Sequence, residues 1–307
     1  MTNKCEINLK KSKIAAIIII IVAIILSIIV NANQSKEIQR YHDNLKKEIV
    51  KCNENIDNID KIDDYETYCD QIKKNENIKV DTLTSFSNIL IFRLKFINPM
   101  AILLVLIPSL IEPIYILKNK YIINCNNRIG YKKFFIFFVK TAYKYVWILP
   151  LTGILIYIPT LFYSTLSPQY QLINGYTFWE TNLIKYPFAF IALYSLNLLM
   201  YSITFVNMGL ICSKKKPRYL LSIIFTYIIY VLIQLFFELI INDYILISIF
   251  HTEFGYIFNI MNMFIFSDQF GLTNLLIFSF IIMVLSFFGL YFSYRNKEKF
   301  IIDIEKN

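Results

Sequence analysis

Few residues of this sequence have the type and position expected of a catalytic or binding site, and the clearest of them are two acids. Two carboxylates lie in long apolar segments: Glu112, and Glu238 with Gln234 one turn before it. A charged group at membrane depth is costly and usually marks a functional site. Both acids fall within about a turn of the end of their segment, where a side chain can reach water or headgroups. They are therefore either functional residues or interfacial ones.

Catalytic signatures are largely missing from the sequence. The two histidines, His42 and His251, fall in different loops between the apolar spans, so no local motif assembles a zinc protease or a Ser/His/Asp set. The seven glycines never take the G-x-x-x-x-G-K spacing of a phosphate-binding loop. We expect no catalysis by this chain itself, no metal and no cofactor; any ATP would be hydrolysed by a partner subunit.

Two cysteines, Cys52 and Cys69, lie in the longest polar segment, residues 33–96. On one straight helix they would stand about 25 Å apart, beyond disulfide reach, whereas a helical hairpin could join them. They are either a disulfide or two free thiols on an apolar stripe. No C-x-x-C or Cys/His cluster accompanies them, so a metal site has no support.

The helices that would hold these residues in place can be predicted from hydropathy. Of the 307 residues 56% are hydrophobic, and the mean hydropathy of +0.51 is too high for one soluble core. We predict an all-α integral membrane protein. Its six transmembrane helices are predicted over residues 14–32, 97–117, 145–166, 186–211, 219–241 and 274–294.

Lysine placement predicts the orientation of these helices. Residues 1–13, 118–144 and the link between the fourth and fifth helices are basic, which favours the cytoplasmic side for them and for the tail, 295–307. Both termini are then cytoplasmic, in a multi-pass protein of the cell membrane. The net charge of +9 is read as this topology signal and not as nucleic-acid binding. The first apolar segment is either a retained helix, which its length favours, or a cleaved signal peptide.

Two further segments have predicted structure. Residues 33–96, outside the membrane, begin with an amphipathic helix that Ser35 could cap. Its apolar positions recur every three or four residues, at Ile38, Tyr41, Leu45, Ile49, Cys52, Ile56 and Ile59. Residues 242–273 are too apolar for a free loop and too interrupted to cross, so we expect re-entrant helices on the outer side.

The segment between the second and third helices, 118–144, contains seven cations and no acid. Aromatic residues alternate with these cations, as in a helix at a membrane surface, and a turn is predicted at Asn126-Asn127. The segment is either a surface helix held by anionic lipid or a docking element for a soluble partner.

A resemblance bears on this choice. The segment Lys118-Asn119-Lys120, followed by Arg128-Ile129-Gly130-Tyr131-Lys132-Lys133-Phe134 and Lys140, is similar to the segment after the second span in permease subunits of ABC-2 type exporters from low-GC Gram-positive bacteria. The layout of the spans resembles that family too. The family's acid would fall near Ile116, and Glu112, one turn away, would replace it; Lys120 stands at a glycine position.

The resemblance implies a function and a set of partners. Residues 118–127 would form a coupling helix, and the surface facing a cytoplasmic P-loop ATPase would include Glu112, Lys118, Lys120, Arg128, Lys132, Lys133 and Lys140. A second permease copy and membrane lipid would be further partners, and the cargo would be a hydrophobic or amphiphilic peptide, drug or lipid. The alternative is a non-transporting signalling or immunity protein that captures a peptide with its outer helical segment.

Overall fold

The computed structural model is mostly helical in the part of the chain that it describes, and that part contains no β-strand. That part comprises residues 2–55, 69–70, 80–94, 97–119, 130–166, 186–214, 217–249, 251 and 272–296. Six of its helices are long and apolar enough to cross a membrane. The helical class and the presence of six helices suited to crossing a membrane are confirmed, as predicted.

The helices are numbered here in chain order. They are α1 (Thr2–Asn55), α2 (Thr82–Asn88), α3 (Ala101–Lys118), α4 (Tyr131–Tyr143), α5 (Ile148–Tyr157), α6 (Thr160–Tyr163), α7 (Pro187–Ser213), α8 (Tyr219–Leu235) and α9 (Leu272–Tyr294). Two of them continue as wider π-type helix, α2 over Ile89–Arg93 and α8 over Phe236–Ile249, and a short 3-10 turn, Asn98–Met100, leads into α3.

Three predicted boundaries differ from the structure. The first span and the amphipathic helix are one helix, α1, so Ser35 lies inside it and caps nothing. The fifth span does not end at 241, because helix continues to Ile249 into the predicted re-entrant segment. No glycine or proline interrupts either stretch, so nothing in the backbone stops the helix. The rest of 242–273, apart from residue 251 and the start of α9, lies outside the described residues.

The third difference concerns the basic segment 118–144. Its second half is α4, which packs along α3, and a turn over residues 144–147 joins α4 to α5. The turn predicted at Asn126-Asn127 lies outside the described residues, as does most of the predicted coupling helix.

Helix α7 is the centre of the bundle, since it packs against α3, α5, α8 and α9. Glycines allow two of these contacts to be close. A Cβ at Gly153 of α5 would lie 2.8 Å from Tyr194 of α7, and one at Gly209 of α7 would lie 2.8 Å from Leu110 of α3. Small residues serve this purpose in membrane helices, where close packing replaces the hydrophobic effect as the driving force.

Helix α1 packs on α3 and α5, and hydrogen bonds join it to α5 where that helix ends. Pro159 has no N–H, so the carbonyl of Leu155 loses its helical donor. Ser27 supplies a replacement by donating to the Leu155 carbonyl at 2.6 Å. Asn31 donates in the same way to the Ile156 carbonyl at 3.1 Å and accepts from the Tyr163 hydroxyl at 2.8 Å. Side chains of α1 thus satisfy backbone groups that a bilayer leaves without water.

The bundle has two chemically different ends. Contacts of Tyr131 with Tyr294, and of Lys214 with Ser293, bring together the helix ends that carry cations. This end, called the basic end below, carries Lys10, Lys11, Lys13, Lys118, Lys132, Lys133, Lys214, Arg218 and Arg295. At the opposite end Asp81 caps α2 and forms an isolated bridge with Thr165.

Beyond that opposite end, α1 extends to Asn55 and is held in two places. Glu37 forms an ion pair with Arg93, the last residue of the π-type continuation of α2. Cys52 is joined to Cys69 by a disulfide, with their Cα atoms 5.8 Å apart. The chain therefore returns to α1 within seventeen residues, as the hairpin alternative requires.

Replacing Gly209 by leucine should destabilise the fold, because the new side chain has to displace Leu110 from a filled contact. Overpacking of this kind costs about 1–3 kcal/mol. Gly289 of α9 is the matched control, since a Cβ there would meet its nearest neighbour at 3.4 Å. Unfolding in detergent should show a clear loss for Gly209→Leu and a small one for Gly289→Leu; equal losses would contradict the close contact.

The pairing of Ser27 with the Leu155 carbonyl can be tested by a double-mutant cycle. Ser27→Ala should lower the free energy of unfolding by about 1 kcal/mol, because the carbonyl loses its donor. Pro159→Ala restores a backbone N–H, so Ser27→Ala should then have little effect. An unchanged cost of Ser27→Ala in the Pro159→Ala background would show that the hydroxyl does not replace the missing donor.

Candidate functional site

The site is the basic end at the junction of α3 and α4. Lys118 closes α3, and Lys132 and Lys133 open α4; all three side chains are exposed. Among the described residues none of the three has an ion-pair or hydrogen-bond partner. We call these three lysines the lysine surface. Uncompensated cations of this kind can bind carboxylates or phosphates.

Helix α4 presents the lysine surface because its own sequence is amphipathic. Phe134, Phe138 and Ala142 recur every four residues and are buried. The ring of Phe138 lies 5.6 Å from that of Tyr294 at the end of α9. The cations at the start of α4 stay on the other face, in solvent. Gly130 precedes the helix with a φ of +76°, a backbone conformation that other residues rarely adopt.

Helix α3 also carries a buried carboxylate, less than two turns before Lys118. Glu112 of α3 is 8% exposed, and its Oε1 accepts a hydrogen bond from the Ser12 hydroxyl of α1 at 2.7 Å. The Lys144 ammonium lies 3.4 Å from the same oxygen, and the Tyr145 hydroxyl lies 2.8 Å from that of Ser12. We call these four residues the Glu112 cluster. It joins α1, α3 and the turn between α4 and α5.

The cluster has a clear physical rationale. A carboxylate this close to an apolar interior needs a cation and hydrogen-bond donors to compensate its desolvation. Lys144 is 40% exposed, so the ion pair is partly screened, and the short bond from buried Ser12 is the stronger anchor. The arrangement fixes α1, near Ser12, against α3 and against the turn that follows α4.

The structure separates the residues that the sequence groups together. Lys118, Lys132 and Lys133 are exposed at the end of α3 and the start of α4, whereas Glu112 is buried and is bonded within the chain. Lys140 is exposed about two turns along α4, beside a groove described below. Lys120 and Arg128 lie outside the described residues.

The remaining candidate polar site is at the other end of the bundle. Gln234 of α8 is 5% exposed and donates to the Glu238 carboxylate at 3.2 Å. Because Glu238 is half-buried, the pair has the character of a boundary site. Among the described residues no group of three His, Cys, Asp or Glu side chains could hold a metal ion.

Three partners in the Glu112 cluster are not among the predicted site residues. Ser12 lies within the basic start of α1, and Lys144 and Tyr145 end the basic segment. The available signal is physical: an acid flanked by apolar residues in a predicted span needs a donor from elsewhere in the chain. The sequence does not indicate which donor packs against it.

The strength of the Ser12–Glu112 bond can be measured by a double-mutant cycle. Ser12→Ala and Glu112→Ala should couple by about 1.5–3 kcal/mol in unfolding free energy, the range for a hydrogen bond to a charged group. Lys133→Ala, on the exposed surface, is the control and should show no coupling to Glu112→Ala. Additive effects of Ser12→Ala and Glu112→Ala would mean that the bond does not hold α1.

Comparisons with known proteins identify no relative. No protein-family model, no curated protein and no solved structure matches this chain. Function is therefore inferred from the geometry of the basic end and from the sequence itself.

Proposed function

We propose that this chain is the permease subunit of an ABC exporter and that the lysine surface receives a separate ATP-binding subunit. The observation that carries the proposal is the exposed set Lys118, Lys132 and Lys133, which has no counter-charge among the described residues and stands on either side of residues 120–129 in the chain. In the resemblance described above, that stretch and its flanks contact the ATPase.

The packing around the lysine surface supports a role in force transmission. Helices α3 and α4 flank the surface, and both pack against the central helix α7. The Glu112 cluster ties the same region to α1. A displacement of the lysine surface would thus be carried through α3 and α4 to α1 and α7, since closely packed helices move as units and deform little.

The mechanism follows from a difference in binding. The ATPase would contact the lysine surface differently in its ATP-bound and nucleotide-free states, and only such a difference can shift the permease between two conformations. Tilting of α3 and α4–α5 would then open a path between this chain and a second permease copy. The cargo class is hydrophobic or amphiphilic and includes peptides, drugs and lipids.

The alternative of peptide capture by the outer helix has less support. It requires a free apolar stripe on the extension of α1. Leu45 and Cys52 of that stripe are buried and form one cluster with Cys69, against which Tyr41 and Ile49 pack. Part of the apolar stripe is therefore buried by contacts within the chain and is not available to a peptide.

The test is purification of the full chain from its native membrane, followed by identification of accompanying proteins. A protein with a G-x-x-x-x-G-K-[ST] loop should co-purify, and ATP hydrolysis should accompany it. The variant Lys132→Glu/Lys133→Glu should lower its recovery at least about tenfold, because like charges placed at an interface cost several kcal/mol.

A matched control reverses two lysines on the extension of α1. Lys46 and Lys47 are exposed like Lys132 and Lys133 but lie beyond the opposite end of the bundle. Lys46→Glu/Lys47→Glu should leave recovery unchanged. If no P-loop ATPase accompanies the unaltered chain, the exporter proposal fails. If the ATPase remains bound to the Lys132→Glu/Lys133→Glu variant, only the assignment of the interface fails.

A further inference from the structure

An apolar groove of about 690 Å³ runs between α4 and α9, within the usual size range of small-molecule sites, roughly 300–1,000 Å³. Its walls consist of aromatic and aliphatic side chains, among them Phe135, Ile136, Phe287 and Phe288. One charged residue, Lys140, lines the groove. The groove is therefore apolar and has a single cationic side chain along its wall.

Hydrogen bonds hold the two walls together at both ends of the groove. Near the basic end the Tyr131 hydroxyl donates to the Tyr294 carbonyl. Farther into the bundle the Tyr143 hydroxyl donates to Asn207 at 2.5 Å, and Asn207 donates to Ser286 at 2.9 Å. The groove is therefore a feature of the packed fold and does not depend on one exposed side chain.

The groove is open towards the surroundings of the bundle. Ile136 is 56% exposed, and Phe288 and Tyr291 are each 55% exposed. These apolar side chains lie on α4 and α9, which belong to helices apolar enough to cross a membrane. In a bilayer such surfaces face lipid tails. The matching occupant is an elongated apolar chain.

Lys140 specifies the polar part of that occupant. Its side chain is exposed and has no ion-pair partner among the described residues. A lysine on the lipid-facing side of a membrane helix extends its ammonium towards the headgroup region, where a phosphate can compensate it. Lys132 and Lys133, two turns earlier on α4, add positive charge on the same side of the membrane.

We propose that the groove between α4 and α9 binds an anionic phospholipid, with an acyl chain between the aromatic walls and the phosphate headgroup on Lys140. A free phosphate would leave the apolar walls uncovered, and a zwitterionic lipid would place a second cation near Lys140. The proposal concerns lipid alone and does not rest on the proposed function.

The experiment reads lipid contact by tryptophan quenching in reconstituted full-length protein. Trp147 and Trp179 are replaced by Phe, and Phe288→Trp places a reporter in the groove wall. Brominated phosphatidylglycerol should quench this reporter at about fivefold lower mole fraction than brominated phosphatidylcholine, the preference expected for one lysine near an anionic lipid.

Two controls assign the preference to the groove and to Lys140. Phe292 lies one turn further along α9, is 64% exposed and does not line the groove, so Phe292→Trp should be quenched alike by both lipids. Lys140→Gln should abolish the preference at residue 288, Lys140→Arg should keep it, and Lys133→Gln should change it little. An unaltered reading at residue 292 shows that the Lys140→Gln variant is folded.

Three results would overturn the proposal. Equal quenching of the residue-288 reporter by both lipids would mean that the groove does not select a headgroup. A preference that survives Lys140→Gln would assign the selection elsewhere. Absence of quenching by either lipid would mean that protein covers the groove, and cross-linking at residue 288 between two chains would identify a second copy as the occupant.

Discussion

The buried carboxylate of Glu112 constrains the fold more than any other single group described. An acid in an otherwise apolar helix has to find donors, and its partners Ser12 and Lys144 come from outside α3, with Tyr145 bonded in turn to Ser12. Satisfying one charge therefore brings the start of α1 and the entry to α5 against the same helix. This arrangement therefore holds α3, which ends at Lys118, and the end of α4, whose first turn carries Lys132 and Lys133.

The same requirement, that polar groups be paired where water is absent, shapes the rest of the bundle. Pro159 frees a carbonyl, and Ser27 on the neighbouring helix supplies the donor. Asn207 links α4 to α9 through Tyr143 and Ser286. A proline in an apolar helix leaves a carbonyl without its helical donor, and a polar side chain of a neighbouring helix supplies the missing bond. Such hydrogen bonds between helices help to determine which helices pack together.

Predictions from sequence succeed where one local property decides. The six apolar segments follow from hydropathy alone, and each has a corresponding helix. The predicted helix ends are wrong where the sequence has no signal that ends a helix. Helices α1 and α8 continue to Asn55 and Ile249 because no proline or glycine interrupts them. The partners of Glu112 and the groove beside Lys140 were not predictable, since residues more than thirty positions apart meet there only through packing.

The sequence by itself determined the helical membrane class, the number of apolar spans and the concentration of cations between the second and third of them, because these depend on composition and short-range order. Only the tertiary structure decided how those cations are divided. Lys118, Lys132 and Lys133 form an exposed surface, Lys144 compensates Glu112, and Lys140 lines an apolar groove. All five residues are lysines, so the sequence alone does not distinguish their roles. Their roles differ because the packing of the helices gives each lysine different neighbours.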